Sequence, residues 1–137
     1  MSATVIVTGG NRGIGRSITE SFVKAGYTVI VGARTEQNIQ AINPKHVIFR
    51  SMDVRDEAAH VTLAKAAIDA TGRIDAWVNN AGVSAWKPIN EIDEAFFDEL
   101  MGINLKGAFW GCKAAAQHMA DAGGSIINIS SIAGKRG

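Results

Sequence analysis

The sequence predicts an α/β fold, a doubly wound parallel sheet of about five strands with helices on both faces. Three observations carry this expectation. Short β-branched apolar runs alternate with longer amphipathic ones along the whole chain. The strand-like runs are continuously apolar, as strands buried on both sides must be. A glycine-rich turn joins the first strand to the first helix.

Each element follows from local chemistry. Residues 3–9 (ATVIVTG) are β-branched and close on glycine, the pattern of a buried strand. Apolar residues at Ile14, Ile18, Phe22 and Ala25 recur at helical spacing, and Gly26 closes that helix as a C-cap. YTVIVGA (27–33) is a second strand, residues 36–41 a short helix, and HVIFRSMDV (46–54) a third strand. An alanine-rich helix over 56–71 stops at Gly72, and IDAWVNNAG (74–82) is the fourth strand. Asp93 is placed to N-cap a long helix running to about Asp121, with a break near Gly102. GSIINISS (124–131) is the fifth strand. Right-handed crossovers between such strands put a ligand crevice at their carboxyl ends. Five strands leave the sheet incomplete, with an isoleucine-rich last strand as an uncovered edge.

The 137 residues are 47% hydrophobic and 20% charged, with a formal net charge of +1. This is the profile of one soluble globular unit, here part of a single domain, and its charges form no basic stripe for nucleic acid. The first residues carry no basic leader and only a strand-length apolar run, so neither a secretion signal nor a membrane span is expected. A lone cysteine, Cys112, agrees with a reducing, cytoplasmic setting. His46, His60 and His118 share no metal-ligand spacing, so no metal site is expected and surface or strand-entry positions are. Glu20 and Lys24 stand at helical pair spacing on the expected solvent face.

TGGNRGIG (Thr8 to Gly15) is the first stretch with chemistry in it. Glycines at 9, 13 and 15 allow a tight turn and a close approach of backbone to phosphate, and the helix that follows offers unpaired N–H groups. The spacing departs from G-x-G-x-x-G, and a glycine-rich turn can also be no more than a tight connection.

Together with three later motifs, this turn resembles that of the short-chain dehydrogenase/reductase family, in the subtype that includes the 3-oxoacyl-carrier-protein reductases. TGGNRGIG resembles the family's T-G-x-x-x-G-x-G, NNAG (Asn79 to Gly82) its segment after strand four, INLKGAFW the segment carrying its active-site Asn, and GGSIINISSIAG the strand carrying its Ser. The resemblance spans the chain and about the first half of a family member. It implies a Rossmann-like sheet and an NAD(P)-dependent oxidoreductase that interconverts an alcohol and a ketone or aldehyde by hydride transfer. It implies that Gly9, Asn11, Arg12, Gly13, Ile14 and Gly15 hold the cofactor phosphates, that Asp53 and Val54 sit against adenine, and that Asn80, Ala81 and Gly82 line the ribose side. Asn79 would tie strands together. Ser131 would be the catalytic serine, with Ser130 its neighbour, and Asn104 would anchor a water of the proton relay.

At the end of the second strand, an acid would grip a ribose 2′-OH, whereas an arginine accepts a 2′-phosphate. Ala33 stands where the family's NAD users have Asp, and Arg34 follows it, with Arg12 as a second cation. NADP is therefore the expected cofactor, with NAD the alternative. The family's acid pair, Tyr-x-x-x-Lys, has no match here, and Tyr27 is expected to be a packing residue. The expectation is a companion polypeptide, from cleavage after Gly137, that supplies the pair and the remaining strands. The alternatives are an inactive truncated fragment and a non-catalytic NADP(H)-binding module. Trp86 is a candidate substrate wall, Trp77 and Trp110 core or interface residues, and Cys112 a small packing residue. The long helices are expected to pair with those of a second subunit.

Overall fold

The computed structural model describes residues 2–136. Five parallel strands form one sheet in the order β3-β2-β1-β4-β5. They are β1 (Thr4–Thr8), β2 (Thr28–Ala33), β3 (Val47–Ser51), β4 (Ala76–Asn79) and β5 (Ser125–Asn128). The helices are α1 (Gly13–Lys24), α2 (Glu57–Thr71), α3 (Glu94–Met101) and α4 (Gly107–Met119).

Alternation along the strands sorts the core into two layers. Val5, Val7, Val29, Val31 and Val78 point to the face covered by Ile18, Phe22 and Val23 of α1. Ile6, Ile30 and Trp77 point the other way, onto Leu63, Ala64 and Ala67 of α2 and Ala114 and Ala115 of α4. Both faces of β1 and β2 are therefore dry, which explains their unbroken apolar sequence. Each such valine or isoleucine contributes about 1.5–3 kcal/mol by leaving water. No helix among the described residues is long and apolar enough to cross a membrane.

Caps mark the helix boundaries. Asp56 accepts from the Ala58 N–H at 3.1 Å, and Gly72, in the left-handed region at φ 76°, ends α2. Asp93 caps α3 by accepting from the Phe96 N–H at 2.9 Å, as the sequence predicts. The expected break at Gly102 is absent. Residues Gly102–Lys106 form one π-helical turn, entered and left in right-handed helical geometry, so α3 and α4 make one continuous rod. Two tight contacts accompany this turn. A Cβ on Gly107 would lie 2.9 Å from Val54 Cγ2, and one on Gly102 would lie 3.2 Å from Arg55 Cδ.

Several boundaries shift from their predicted places. β3 stops at Ser51, so Asp53 and Val54 belong to a turn rather than a strand end. β4 stops at Asn79, and β5 at Asn128, leaving Ser130 and Ser131 in a loop. Residues 36–41 hold only a 3₁₀ turn at Ile39–Ala41. Glu20 pairs with Arg16, at 2.8 Å, rather than with Lys24. His60 is fully buried, not at the surface, because α2 turns it onto Trp77. Tyr27 packs edge-on against Phe22 at the amino end of β2, opposite the ligand crevice. Among the described residues β5 pairs with β4 alone, and Ile126 and Ile127 are 40% and 39% exposed.

Candidate functional site

The carboxyl ends of β1, β2 and β4, with the turn after β3, surround a cleft of about 690 Å³. Its floor is the glycine turn. Gly9 adopts φ 64° and donates its N–H to the Gly32 carbonyl at 2.7 Å, which ties the turn to β2. Gly13 adopts φ 54°, and a Cβ there would meet nothing within 4 Å, so this glycine serves conformation and leaves open space above it. Gly15 serves contact instead. A Cβ on it would stand 2.0 Å from the Gly9 carbonyl oxygen and 2.3 Å from Asn80 Nδ2. Its absence lets α1 begin directly against β1.

Arg12 holds the N-cap position of α1 with extended backbone and makes no side-chain cap. The first N–H groups of α1 are therefore left for a ligand, together with the positive end of the helix dipole. Arg12 and Arg34 border the cleft, and neither is in an ion pair among the described residues.

Thr8 is a hub that sequence reading passed over. Its hydroxyl accepts from the N–H groups of Asn80 and Ala81, each at 3.1 Å. Asn80 in turn donates Nδ2 to the carbonyls of Thr8 and Gly9, both at 3.2 Å. Asn80 thus borders the cleft while its amide nitrogen is occupied in stapling β4 to the glycine turn. Asn11 behaves alike. It is buried, and its Nδ2 donates to the Thr35 carbonyl at 2.8 Å, so its side chain braces the wall rather than facing a ligand. Because each tie joins residues far apart in sequence, no local pattern marks it.

Asp53 and Arg55 form a two-pronged pair, Nη2 to Oδ2 at 2.6 Å and Nε to Oδ1 at 3.0 Å. That hydrogen bonding outweighs partial burial and, with the charges of Arg55 and Arg34, lowers the Asp53 carboxyl to about 2. The carboxylate is thereby neutralised by Arg55. Arg34 keeps its positive charge for the cleft.

All of the predicted cofactor residues border this one cleft: Gly9, Asn11, Arg12, Gly13, Ile14, Gly15, Arg34, Asp53, Val54, Asn80, Ala81 and Gly82. Asn104 and Ser131 do not. The Asn104 side chain is spent on Val83, accepting from its N–H and donating to its carbonyl, both at 2.8 Å. It clamps the loop after β4 onto the π turn, a departure from α-helical bonding frequent at functional sites. Ser131 Oγ accepts from the Ala133 N–H at 3.2 Å and caps a 3₁₀ turn in the exposed loop beyond β5. Asn79 donates to Asn128 Oδ1 at 2.8 Å across the β4–β5 pair, the strand-tying role predicted for it. Trp86 is 85% exposed and lies outside the cleft. Among the described residues no cluster of His, Cys, Asp and Glu could hold a metal.

Comparison with known proteins shows the family and the fold. The model of the short chain dehydrogenase family matches residues 3–137. The chain is 33% identical to L-2,3-butanediol dehydrogenase of Corynebacterium glutamicum, over 100% of this chain and 57% of that protein. It is 36% identical to the NADP-dependent (R)-specific alcohol dehydrogenase of Lentilactobacillus kefiri, over 94% of this chain and 54% of that protein. The solved structure of ElxO with NADP bound superposes with a TM-score of 0.92 at 30% identity, covering 100% of this chain and 58% of that one. The chain spans about half the length of the curated relatives it matches.

Proposed function

The chain belongs to the short chain dehydrogenase family, and from that premise we propose that its cleft binds NADP(H) and serves an oxidoreductase that interconverts an alcohol with a ketone or aldehyde. The observation that carries this reading is the pair of cations, Arg12 and Arg34, without an ion-pair partner among the described residues, on a cleft whose floor is an open glycine turn at a helix N-terminus. A dinucleotide phosphate needs backbone N–H groups without a Cβ above them, and Gly13 leaves that space free. A ribose 2′-phosphate needs a cation, and Arg34 is not neutralised by Asp53 because Arg55 already holds that carboxylate. NADP-bound ElxO and the NADP-dependent L. kefiri relative support the same choice.

When bound, the nicotinamide supplies or accepts a hydride. The residues of this chain bind and orient. Gly9, Gly13 and the start of α1 hold phosphate, while Asp53 and Val54 form the adenine wall. Asn80 and Asn104 hold the loops in place. Ser131 polarises the substrate oxygen. Tyr27 packs at the amino end of β2, away from the cleft, and the family resemblance assigns the proton exchange to a Tyr-x-x-x-Lys pair on a companion segment. The exposed line Phe97, Met101, Leu105 and Phe109, spaced by four along α3, the π turn and α4, is read as the face that meets the same helices of a second subunit. Leu105→Glu should then turn a dimer into a monomer in sedimentation.

Titration of the protein with NADPH and NADH, followed by turnover assays on simple ketones with the companion segment present, tests the reading. NADPH should bind more tightly, and Ser131→Ala should lose turnover while keeping cofactor affinity. Equal turnover of that variant would remove Ser131 from the mechanism. Binding with no turnover on any carbonyl or alcohol would leave a cofactor-binding module.

A further inference from the structure

One buried imidazole, unused by the reading above, touches the backbone of the cleft itself. His60 lies in α2, fully buried, with its ring stacked on Trp77 at a centroid distance of 6.2 Å. Nε2 is 2.8 Å from the Val54 carbonyl. A carbonyl only accepts, so Nε2 carries the proton and Nδ1 is the bare nitrogen, which has no partner among the described residues. Burial pulls the imidazole below its usual value, against smaller opposing effects from the Val54 carbonyl and Asp56, and so keeps the ring neutral.

The Val54 carbonyl and the Arg55 N–H belong to the same planar peptide unit. That N–H donates to Asp53 Oδ1 at 3.0 Å. The unit is thus held from both sides, by the imidazole within the core and by the carboxylate at the cleft. Fixing both polar ends of a rigid plane fixes its rotation, and with it the directions of its neighbours Val54 and Arg55. Val54 also lies close against the start of α4, where a Cβ on Gly107 would stand 2.9 Å from its Cγ2. Leaving one ring nitrogen unpartnered in the core costs stability that an apolar side chain would not. What the imidazole provides in return is a donor for a carbonyl facing the core.

We propose that His60 is a positioning residue of the dinucleotide site, its Nε2–H holding the Val54–Arg55 peptide so that Asp53 and Val54 present one fixed wall to adenine. This rests on the reading of the cleft as an NADP(H) site. It is tested by titrating wild type, His60→Leu and His60→Gln with 2′,5′-ADP, which carries the adenine end, and with inorganic pyrophosphate, which needs only the glycine turn. Urea midpoints are measured in parallel. His60→Leu should weaken 2′,5′-ADP about ten-fold, the order expected for one buried hydrogen bond, and leave pyrophosphate unchanged. His60→Gln, which keeps a side-chain donor, should recover most of the loss. Wild-type affinity in both variants overturns the inference and leaves the cleft reading intact. So does a loss shared equally by both ligands, which marks His60 as a core filler. A wild type that does not bind 2′,5′-ADP overturns the cleft reading and the inference with it. Should His60→Leu fail to fold, the wild-type nitrogen spectrum decides. An Nε2–H tautomer whose signal shifts on adding 2′,5′-ADP supports the proposal, and an Nδ1–H tautomer or an unmoved signal overturns it.

Discussion

Gly15→Ala sets two effects of opposite sign against each other. Gly15 lies in α1 with no positive φ, so on helix propensity alone alanine would stabilise by about 1 kcal/mol. The new Cβ, however, would stand 2.0 Å from the Gly9 carbonyl oxygen. Gly9 cannot retreat, because its N–H is bonded to the Gly32 carbonyl at 2.7 Å and its oxygen accepts from Asn80 at 3.2 Å. The start of α1 must therefore lift away from β1, at an overpacking cost of about 1–3 kcal/mol. The same Cβ displaces Asn80 Nδ2 and forfeits its two hydrogen bonds, worth about 1 kcal/mol each. The net loss is about 2–4 kcal/mol, or about 8–16 °C in Tm for a chain of this length. Gly13→Ala is the control. It meets nothing within 4 Å and loses only the left-handed allowance at φ 54°, about 1–2 kcal/mol. Gly13→Asn should lose less still, since Asn tolerates that region. Thermal melts of the three variants, with NADPH titrations beside them, test the ordering. A Gly15→Ala variant as stable as wild type, or more stable than Gly13→Ala, would refute the contact account of the glycine turn.

Further outcomes follow from the same geometry. Arg34→Ala should weaken NADPH about 10- to 100-fold in a binding titration, the loss expected for hydrogen bonds to a charged group, and change NADH little. Acid should destabilise the fold in two separate windows. His60 is held neutral, so stability is complete above its ordinary 6.5 and declines as pH falls below it. Asp53 is depressed, so its contribution is present above the ordinary 3.8 and is lost as pH falls toward about 2. Urea midpoints against pH should lose the upper decline in His60→Gln and be flattened in the lower one in Asp53→Asn. Gly111→Ala would bring a Cβ within 1.9 Å of Asn79 Oδ1. It should break the Asn79–Asn128 tie and cost about 2–4 kcal/mol, read as faster amide exchange in β5.

The order of elements was legible because each is written in a local pattern. β1 and β2 are apolar on both faces, α1 and α2 carry the period of a helix, and Gly26, Gly72 and Asp93 stand where a cap must. The glycine turn was legible for the same reason, since a position that must lack a Cβ is visible in one dimension, and the other residues expected at the cleft came from the family resemblance. The strand ends were not. β3, β4 and β5 each stop before the predicted residue, because a ladder ends where its neighbour turns away, and that neighbour is distant in sequence. Glu20 has two cations at helical spacing, Arg16 and Lys24; local preference favours Lys24, with the acid on the amino side, and the fold pairs it with Arg16 instead.

Periodicity and the positions that lack a Cβ are enough for the α/β class and the glycine turn, and the family motifs add the other residues that border the cleft. Tertiary structure alone decided which of those residues are free. Asn11 and Asn80 are spent on bracing the wall, Asp53 is neutralised by Arg55, Asn104 is spent on Val83, and His60 reaches from the core to a carbonyl of the cleft. A hydrogen bond is satisfied by whichever group the fold brings within about 3 Å, and sequence distance says nothing about that.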